Sequence, residues 1–168
     1  MMSDDITPRL ALPMLQPGQA QKETTHNEAL ALLDLVVPAT VLAVGLNAPP
    51  ASPAAGDAWI VGTVPTGGWT GHARAMAGWT SSGWRFVAPR DGMAVWSVAD
   101  EQVLRFGGGV WTLGVLAGSR VTIGGVDVVG ARRGAIVDPS GGLVIDLEAR
   151  AAIAAVLSAL RGHGLISV

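Results

Sequence analysis

The chain has 168 residues and a formal net charge of −2, and 14% of its residues are charged while 49% are hydrophobic. Because a typical soluble domain carries about 25% charged residues, we expect part of the apolar surface to be buried between copies or against other proteins. The charge excludes a basic footprint for nucleic acid, and the absence of cysteine excludes disulfides and thiolate metal sites.

No segment indicates a membrane span or a secretory route. The uninterrupted apolar runs all fall short of the ~18 residues that a membrane helix needs. The first thirty residues carry six charged side chains and no apolar signal core. We therefore expect a protein that is made in the cytoplasm, has no signal peptide and does not contact a membrane.

Residues 1–46 are predicted to form an extended arm followed by a helix, which together serve attachment. Three prolines within the first 18 residues exclude a helix there. Apolar residues of the arm alternate in part, as in a strand added to another surface, and the predicted contact residues are Leu10, Leu12, Met14 and Leu15. We expect the arm to dock on its own fold or on a neighbouring subunit, and a disordered terminus is the alternative.

The first helix is predicted between Gln19 and Pro38. Apolar side chains in segment 29–37 recur at the spacing of a helix, and the proline ends it because it cannot continue the hydrogen-bond pattern. A short strand candidate lies at 41–44. Residues 47–56 follow as a rigid linker rich in alanine and proline.

Segment 57–114 holds all eight aromatic residues of the chain and is predicted to form a small antiparallel β meander. Its short β-prone runs are broken at close intervals by glycine, serine, proline and aspartate. Glycine turns are predicted at 81–83 and 107–109. The predicted strands are 59–61, 73–77, 84–87, 93–98, 103–106 and 110–113.

Most of the six tryptophans are predicted to fill the core of this meander, because it has few other side chains of sufficient size. Trp84 and Trp96 lie inside β-prone runs and are assigned to the core. The alternative is an exposed stacking platform for sugar rings. Its candidate residues lie beside loops and are Trp69, Trp79 and Trp111.

Residues 115–145 are predicted to form a second β region, and residues 146–168 a helix and tail. Asp146 is placed to cap this helix, which is rich in alanine and has almost no charged face. An apolar stripe is predicted to hold several copies of the chain together, and it consists of Ile153, Val156, Leu157 and Leu160. Packing of the helix against its own β unit is the alternative.

The predicted fold class is α+β, mainly β with two helices. No enzyme is predicted, because the three histidines lack the spacing of a metal site and no G-x-S-x-G elbow is present. The acidic residues of the tryptophan-rich segment lie in turns, and not in the opposed positions that glycoside hydrolysis needs. We expect no catalytic residue, no metal and no cofactor.

The segments T-P-R-L-A-L-P at 7–13 and Q-P-G-Q-A-Q-K-E-T-T-H-N-E-A-L at 16–30 point to a family. They resemble the opening of an uncharacterised domain family found in prophages and gene transfer agents of alphaproteobacteria. The resemblance continues through G-D-A-W-I-V and W-R-F-V-A-P-R to about residue 113. The end of the chain is more loosely similar to the endings of other phage structural proteins.

The resemblance implies a structural protein on the surface of a phage-like particle, and for a chain this short the base of a head spike. The implied partners are further copies of the chain in a trimer or pentamer, a capsid protein that the arm contacts, and a spike fibre protein. The alternative function is a carbohydrate-binding adhesin domain that recognises a host surface polysaccharide through exposed tryptophans.

Overall fold

The computed structural model of the protein describes residues 6–16 and 22–168. Within these residues it contains two α-helices and ten β-strands, which confirms the α+β, mainly β fold class. The chain divides into two compact units, Met1–Val115 and Leu116–Val168. Among the described residues, neither helix has both the length and the apolarity that crossing a membrane requires.

Most helices and strands belong to the first unit. The first unit contains α1 (Lys22–Val36), β1 (Thr40–Val41), β2 (Ala43–Leu46), β3 (Ala58–Val61), a 3-10 helix (Gly67–Trp69), β4 (Met76–Thr80), β5 (Gly83–Val87), β6 (Ala94–Ser97), β7 (Gln102–Gly107) and β8 (Val110–Leu113). The second unit contains β9 (Val121–Ile123), β10 (Val126–Val129) and α2 (Leu147–Gly162).

The strands of the first unit form two four-stranded sheets. The first sheet has the order β2-β3-β4-β5 and the second the order β1-β6-β7-β8. Strands β3–β5 and β6–β8 are antiparallel meanders, so the single meander that was predicted is divided between two sheets. Segment 40–46 adds one parallel edge strand to each sheet. The sequence predicts a short strand at 41–44 but not its parallel pairing. Parallel partners are joined by a long connection, such as loop 47–57 between β2 and β3.

Two predicted features of the meander have different outcomes. The strand predicted at 73–77 is displaced to Met76–Thr80, and Arg74 lies before it in a turn with a φ of 64°. The glycine turn between β7 and β8 is confirmed, since its central residues Gly108 and Gly109 have φ of 58° and 80°. Two successive positive φ values are what a type I′ hairpin turn requires.

The first sheet is covered on both faces. One face contributes to a core whose buried members are Leu35, Val41, Ala58, Ile60, Met76, Val95 and Leu104. The opposite face carries a second core whose buried members are Trp59, Val61, Trp69 and Ala77. Because successive side chains of a strand point to opposite faces, β3 alone contributes to both cores.

Gly78 on β4 packs against Leu35 of α1. A Cβ atom at this position would lie less than 3 Å from three side-chain atoms of Leu35, which is itself buried. We expect Gly78→Ala to lower the free energy of unfolding by about 1–3 kcal/mol, because a packed core has no room for an added methyl group. Chemical denaturation of the purified protein measures the loss.

Gly107→Ala is the matched control for this change, because the same methyl group at the end of β7 meets no atom within 4 Å. Combining Leu35→Ala with Gly78→Ala is expected to cost less than the sum of the single changes, since the added methyl group occupies space that the leucine vacates. Equal losses for the Gly78 and Gly107 variants would contradict the close approach.

The second unit contains less regular structure than its sequence predicts. Strands β9 and β10 form an antiparallel hairpin, but the described segment 130–146 contains no strand and only a bridge between Arg133 and Ile166. Its apolar runs have no neighbouring strand with which to pair. The predicted cap is confirmed, since the Asp146 carboxylate accepts a hydrogen bond from the Ala149 N–H at 2.8 Å.

Candidate functional site

A buried carboxylate fastens the amino-terminal arm to α1. Asp34 accepts hydrogen bonds from the Thr7 hydroxyl at 2.7 Å and from the N–H groups of Arg9 and Leu10 at 3.0 and 2.6 Å. The Thr7 N–H donates to the Leu12 carbonyl at 2.9 Å and closes a turn. The arm therefore forms a turn here and is not extended as predicted, because one carboxylate draws several donors together.

The guanidinium of Arg9 connects this turn to the rest of the first unit. It donates to the backbone carbonyls of Gly56 at 2.7 Å, Leu35 at 3.3 Å and Thr40 at 2.9 Å. Burial lowers the pKa of Arg9, and nearby carboxylates oppose the shift. Because these carbonyls belong to α1, β1 and the loop before β3, one side chain holds three elements together.

The four predicted attachment residues lie on this arm. Leu10 is exposed, whereas Leu12, Met14 and Leu15 are half-buried. The backbone of Leu15 exchanges hydrogen bonds of 2.9 and 3.0 Å with the Asn27 side chain on α1. The arm thus docks on its own fold, and its contact with other chains stays a prediction. The predicted segments 1–5 and 17–21 lie outside the described residues.

Four tryptophans form one cluster on a face of the first sheet. The ring centroid of Trp84 lies 5.7 Å from that of Trp59, 5.2 Å from Trp69 and 4.9 Å from Trp79. These pairs meet edge to face, the arrangement that aromatic quadrupoles favour. Four of the six tryptophans therefore fill a core, in agreement with the prediction that most of them do.

The assignments of Trp69 and Trp96 are wrong. Trp69, a predicted platform residue, is 0% exposed, because the 3-10 helix that carries it folds over the sheet. Trp96, assigned to the core, is 44% exposed, because Val95 and Ser97 occupy the covered face of β6. Since a buried ring cannot stack on a sugar, Trp69 is no longer a platform candidate.

The other two platform candidates lie in different places. Trp79 is half-buried inside the tryptophan cluster. Trp111 is half-buried on β8, and its indole N–H donates to the Arg74 carbonyl at 2.8 Å. The structure does not bring Trp69, Trp79 and Trp111 together as one platform, and sugar binding by the latter two stays a prediction.

The second unit has an apolar surface made of many exposed side chains. Within the described residues of this unit, only Leu157 and Ile166 are buried. The large apolar side chains that remain exposed, which define this surface, are Leu116, Val121, Ile123, Val126, Val128, Val129, Ile136, Val137, Leu143, Val144, Ile145, Leu147, Ile153, Val156, Leu165 and Val168. Exposed apolar surface of this kind is a candidate interaction site.

The predicted oligomerisation stripe is divided between the interior and this surface. Leu157 is buried and Leu160 is half-buried, whereas Ile153 and Val156 are exposed. In the single chain most of the circumference of this helix is exposed, although the helix has almost no charged face. Its exposed face is therefore available to another chain.

Sequence reasoning missed the buried carboxylate of the first unit. Its position in the helix could have identified it, because Asp34 lies three residues after Ala31 and next to Leu35, on the buried side of α1. A charged residue on such a face needs buried donors. Among the described residues, no group of three or more histidine, aspartate or glutamate side chains is placed to hold a metal ion.

These features define a compact α+β domain of two mixed sheets with a tryptophan-filled core, followed by a unit with an apolar surface. The profile of a family described as "Protein of unknown function (DUF2793)" matches residues 26–112. Because the match covers more than half of the chain, the chain belongs to this family. The match runs from α1 to β8, so the second unit lies beyond it. A search of curated proteins found no match.

Proposed function

We propose that the protein is a structural component on the surface of a phage-like particle of the gene transfer agent type. Several copies form the base of a head spike, and this base connects the particle to a receptor-binding fibre. The resemblance of segment 7–30 to proteins of such particles supports the proposal. The observation that carries it is the apolar surface of the second unit, which a single copy leaves uncovered.

Covering this surface provides a driving force for assembly. Full burial of one valine, leucine or isoleucine side chain contributes about 1.5–3 kcal/mol, so covering several of them offsets the ~4–15 kcal/mol that association costs. Electrostatics does not oppose contact between copies, because the five arginines of the second unit nearly balance its four acidic residues. A second copy of the chain is therefore a suitable partner.

Three or five copies are the proposed assemblies. Either symmetry suits a spike, and the alanine-rich surface of α2 permits close approach of neighbouring helices. The exposed Leu10 on the arm is the proposed contact with a capsid protein, and a spike fibre protein is the other proposed partner. Imaging of intact particles that carry a label on this chain tests the proposed location.

Light scattering with mass determination tests the assembly. The expected mass is three or five times the 17.1 kDa of the chain. The chain is expected to keep this mass on dilution to micromolar concentration, because assembly covers surface that water otherwise contacts. A stable monomer at micromolar concentration contradicts the proposal.

Val156→Glu is expected to dissociate the assembly, because a carboxylate placed in an apolar contact has no partner there. The dissociation constant should rise at least about 100-fold, measured by light scattering over a dilution series. Val64→Glu is the matched control, because this valine is also exposed but belongs to the first unit. Equal masses for the two variants would show that the exposed face of α2 is not the contact.

A further inference from the structure

A groove of about 300 Å³ lies within the first unit, beside β2, β3 and β8. Trp111 and aliphatic strand side chains form its apolar lining, and Asn47, Thr63 and Arg74 form its polar lining. Ligand pockets have volumes of about 300–1,000 Å³. The groove therefore has room for a small ligand of one or two rings.

Arg74 holds a backbone conformation that is rare for a residue with a side chain. Its φ of 64° lies in the left-handed region. Its N–H donates to the Gly62 carbonyl at 3.3 Å, and its carbonyl accepts the indole N–H of Trp111 at 2.8 Å. Within the described chain its guanidinium has no hydrogen-bond or ion-pair partner. Strained residues concentrate at ligand-binding sites, and this one places a free cation at the groove.

The other polar groups of the groove favour the same kind of ligand. The Asn47 side-chain oxygen accepts the Val64 N–H at 3.1 Å, while its amide nitrogen has no partner among the described residues. The described residues that line the groove include no carboxylate. Since the free groups are mainly N–H donors, a matching ligand is anionic and rich in acceptor oxygens.

We propose that this groove binds a saccharide unit that carries a carboxylate. The indole of Trp111 offers an aromatic surface for the apolar face of a pyranose ring. Arg74 pairs with the carboxylate, and the Asn47 amide donates to a hydroxyl. This site lies wholly in the first unit and is independent of the proposed assembly.

A peptide added as a further strand fits the groove less well. β2 is an edge strand, but its pairing with β3 shifts between Val44 and Leu46, where Gly45 has a φ of 79°. Such an irregularity interrupts the row of backbone groups that an added strand requires. A saccharide needs no such row.

Isothermal titration calorimetry on the full chain tests the site. The probes are trimers of galacturonic and glucuronic acid, the matching neutral trimers of galactose and glucose, and an acidic peptide. Binding is expected for at least one acidic trimer and should be at least about 10-fold weaker for its neutral counterpart. Arg74→Gln is expected to weaken binding of the acidic trimer about 10- to 100-fold, and Arg74→Lys less.

Arg105→Gln is the matched control, because it removes an exposed cation of the same unit that does not line the groove. Trp111→Ala is expected to abolish binding, and a thermal melt shows whether this variant is folded. Three results would overturn the site: no binding of either acidic trimer, equal binding by the wild type and Arg74→Gln, or tighter binding of the peptide than of the saccharides.

Discussion

Asp34→Ala is expected to lower the free energy of unfolding of the first unit by about 3–5 kcal/mol. The change removes an acceptor that takes three hydrogen bonds from the Thr7 hydroxyl and the N–H groups of Arg9 and Leu10. It leaves those donors without a partner and removes a carboxylate whose charge stabilises the half-buried guanidinium of Arg9. Denaturant unfolding followed by tryptophan fluorescence measures the loss, because every tryptophan lies in this unit.

Two variants calibrate this result. Thr7→Val removes one of the three donors with little change of shape and should cost about 1 kcal/mol. Asp91→Ala removes an exposed carboxylate of the same unit from a turn and should leave the unfolding midpoint unchanged. If Asp34→Ala unfolds at the same denaturant concentration as Asp91→Ala, the carboxylate does not fasten the arm.

Trp69→Ala is expected to lower the free energy of unfolding by about 3–5 kcal/mol. The indole is fully buried and meets Trp59 and Trp84 with ring centroids 6.2 and 5.2 Å away. Its removal leaves a cavity that the rigid sheet beneath it cannot fill by collapse. Calorimetric or denaturant unfolding of the purified variant measures the effect.

Trp69→Phe is expected to cost much less than Trp69→Ala, because among the described residues the buried indole N–H has no hydrogen-bond partner to lose. Trp96→Ala is the comparison for exposure and should cost no more than about 2 kcal/mol, since that side chain is 44% exposed. A loss for Trp96→Ala as large as that for Trp69→Ala would show that Trp96 lies on the covered face of β6.

The helices and hairpin turns of this protein could be predicted from sequence because they depend on residues that are close together in the chain. Helical spacing in segment 29–37 and the cap at Asp146 located both helices, since helix hydrogen bonds join residues four apart. The glycines at 108–109 located a hairpin, since few other residues adopt two successive positive φ values. The low fraction of charged residues predicted more apolar surface than one copy buries, and the second unit exposes such surface.

The candidate sites depended on contacts between distant segments. Alternation along β6 predicts two faces, but it does not say that Val95 is covered and Trp96 exposed. The hydrogen bond from Thr7 to Asp34 spans 27 positions, and the one from Trp111 to Arg74 spans 37.

The sequence by itself thus determined both helices and most strands and hairpin turns of the first unit, because these follow from local hydrogen bonding and side-chain periodicity. Only the tertiary structure decided which faces are buried, where the free cation of the groove lies and how much apolar surface stays uncovered. The physical reason is that burial depends on which segments pack together, and each segment's own periodicity is compatible with several packings.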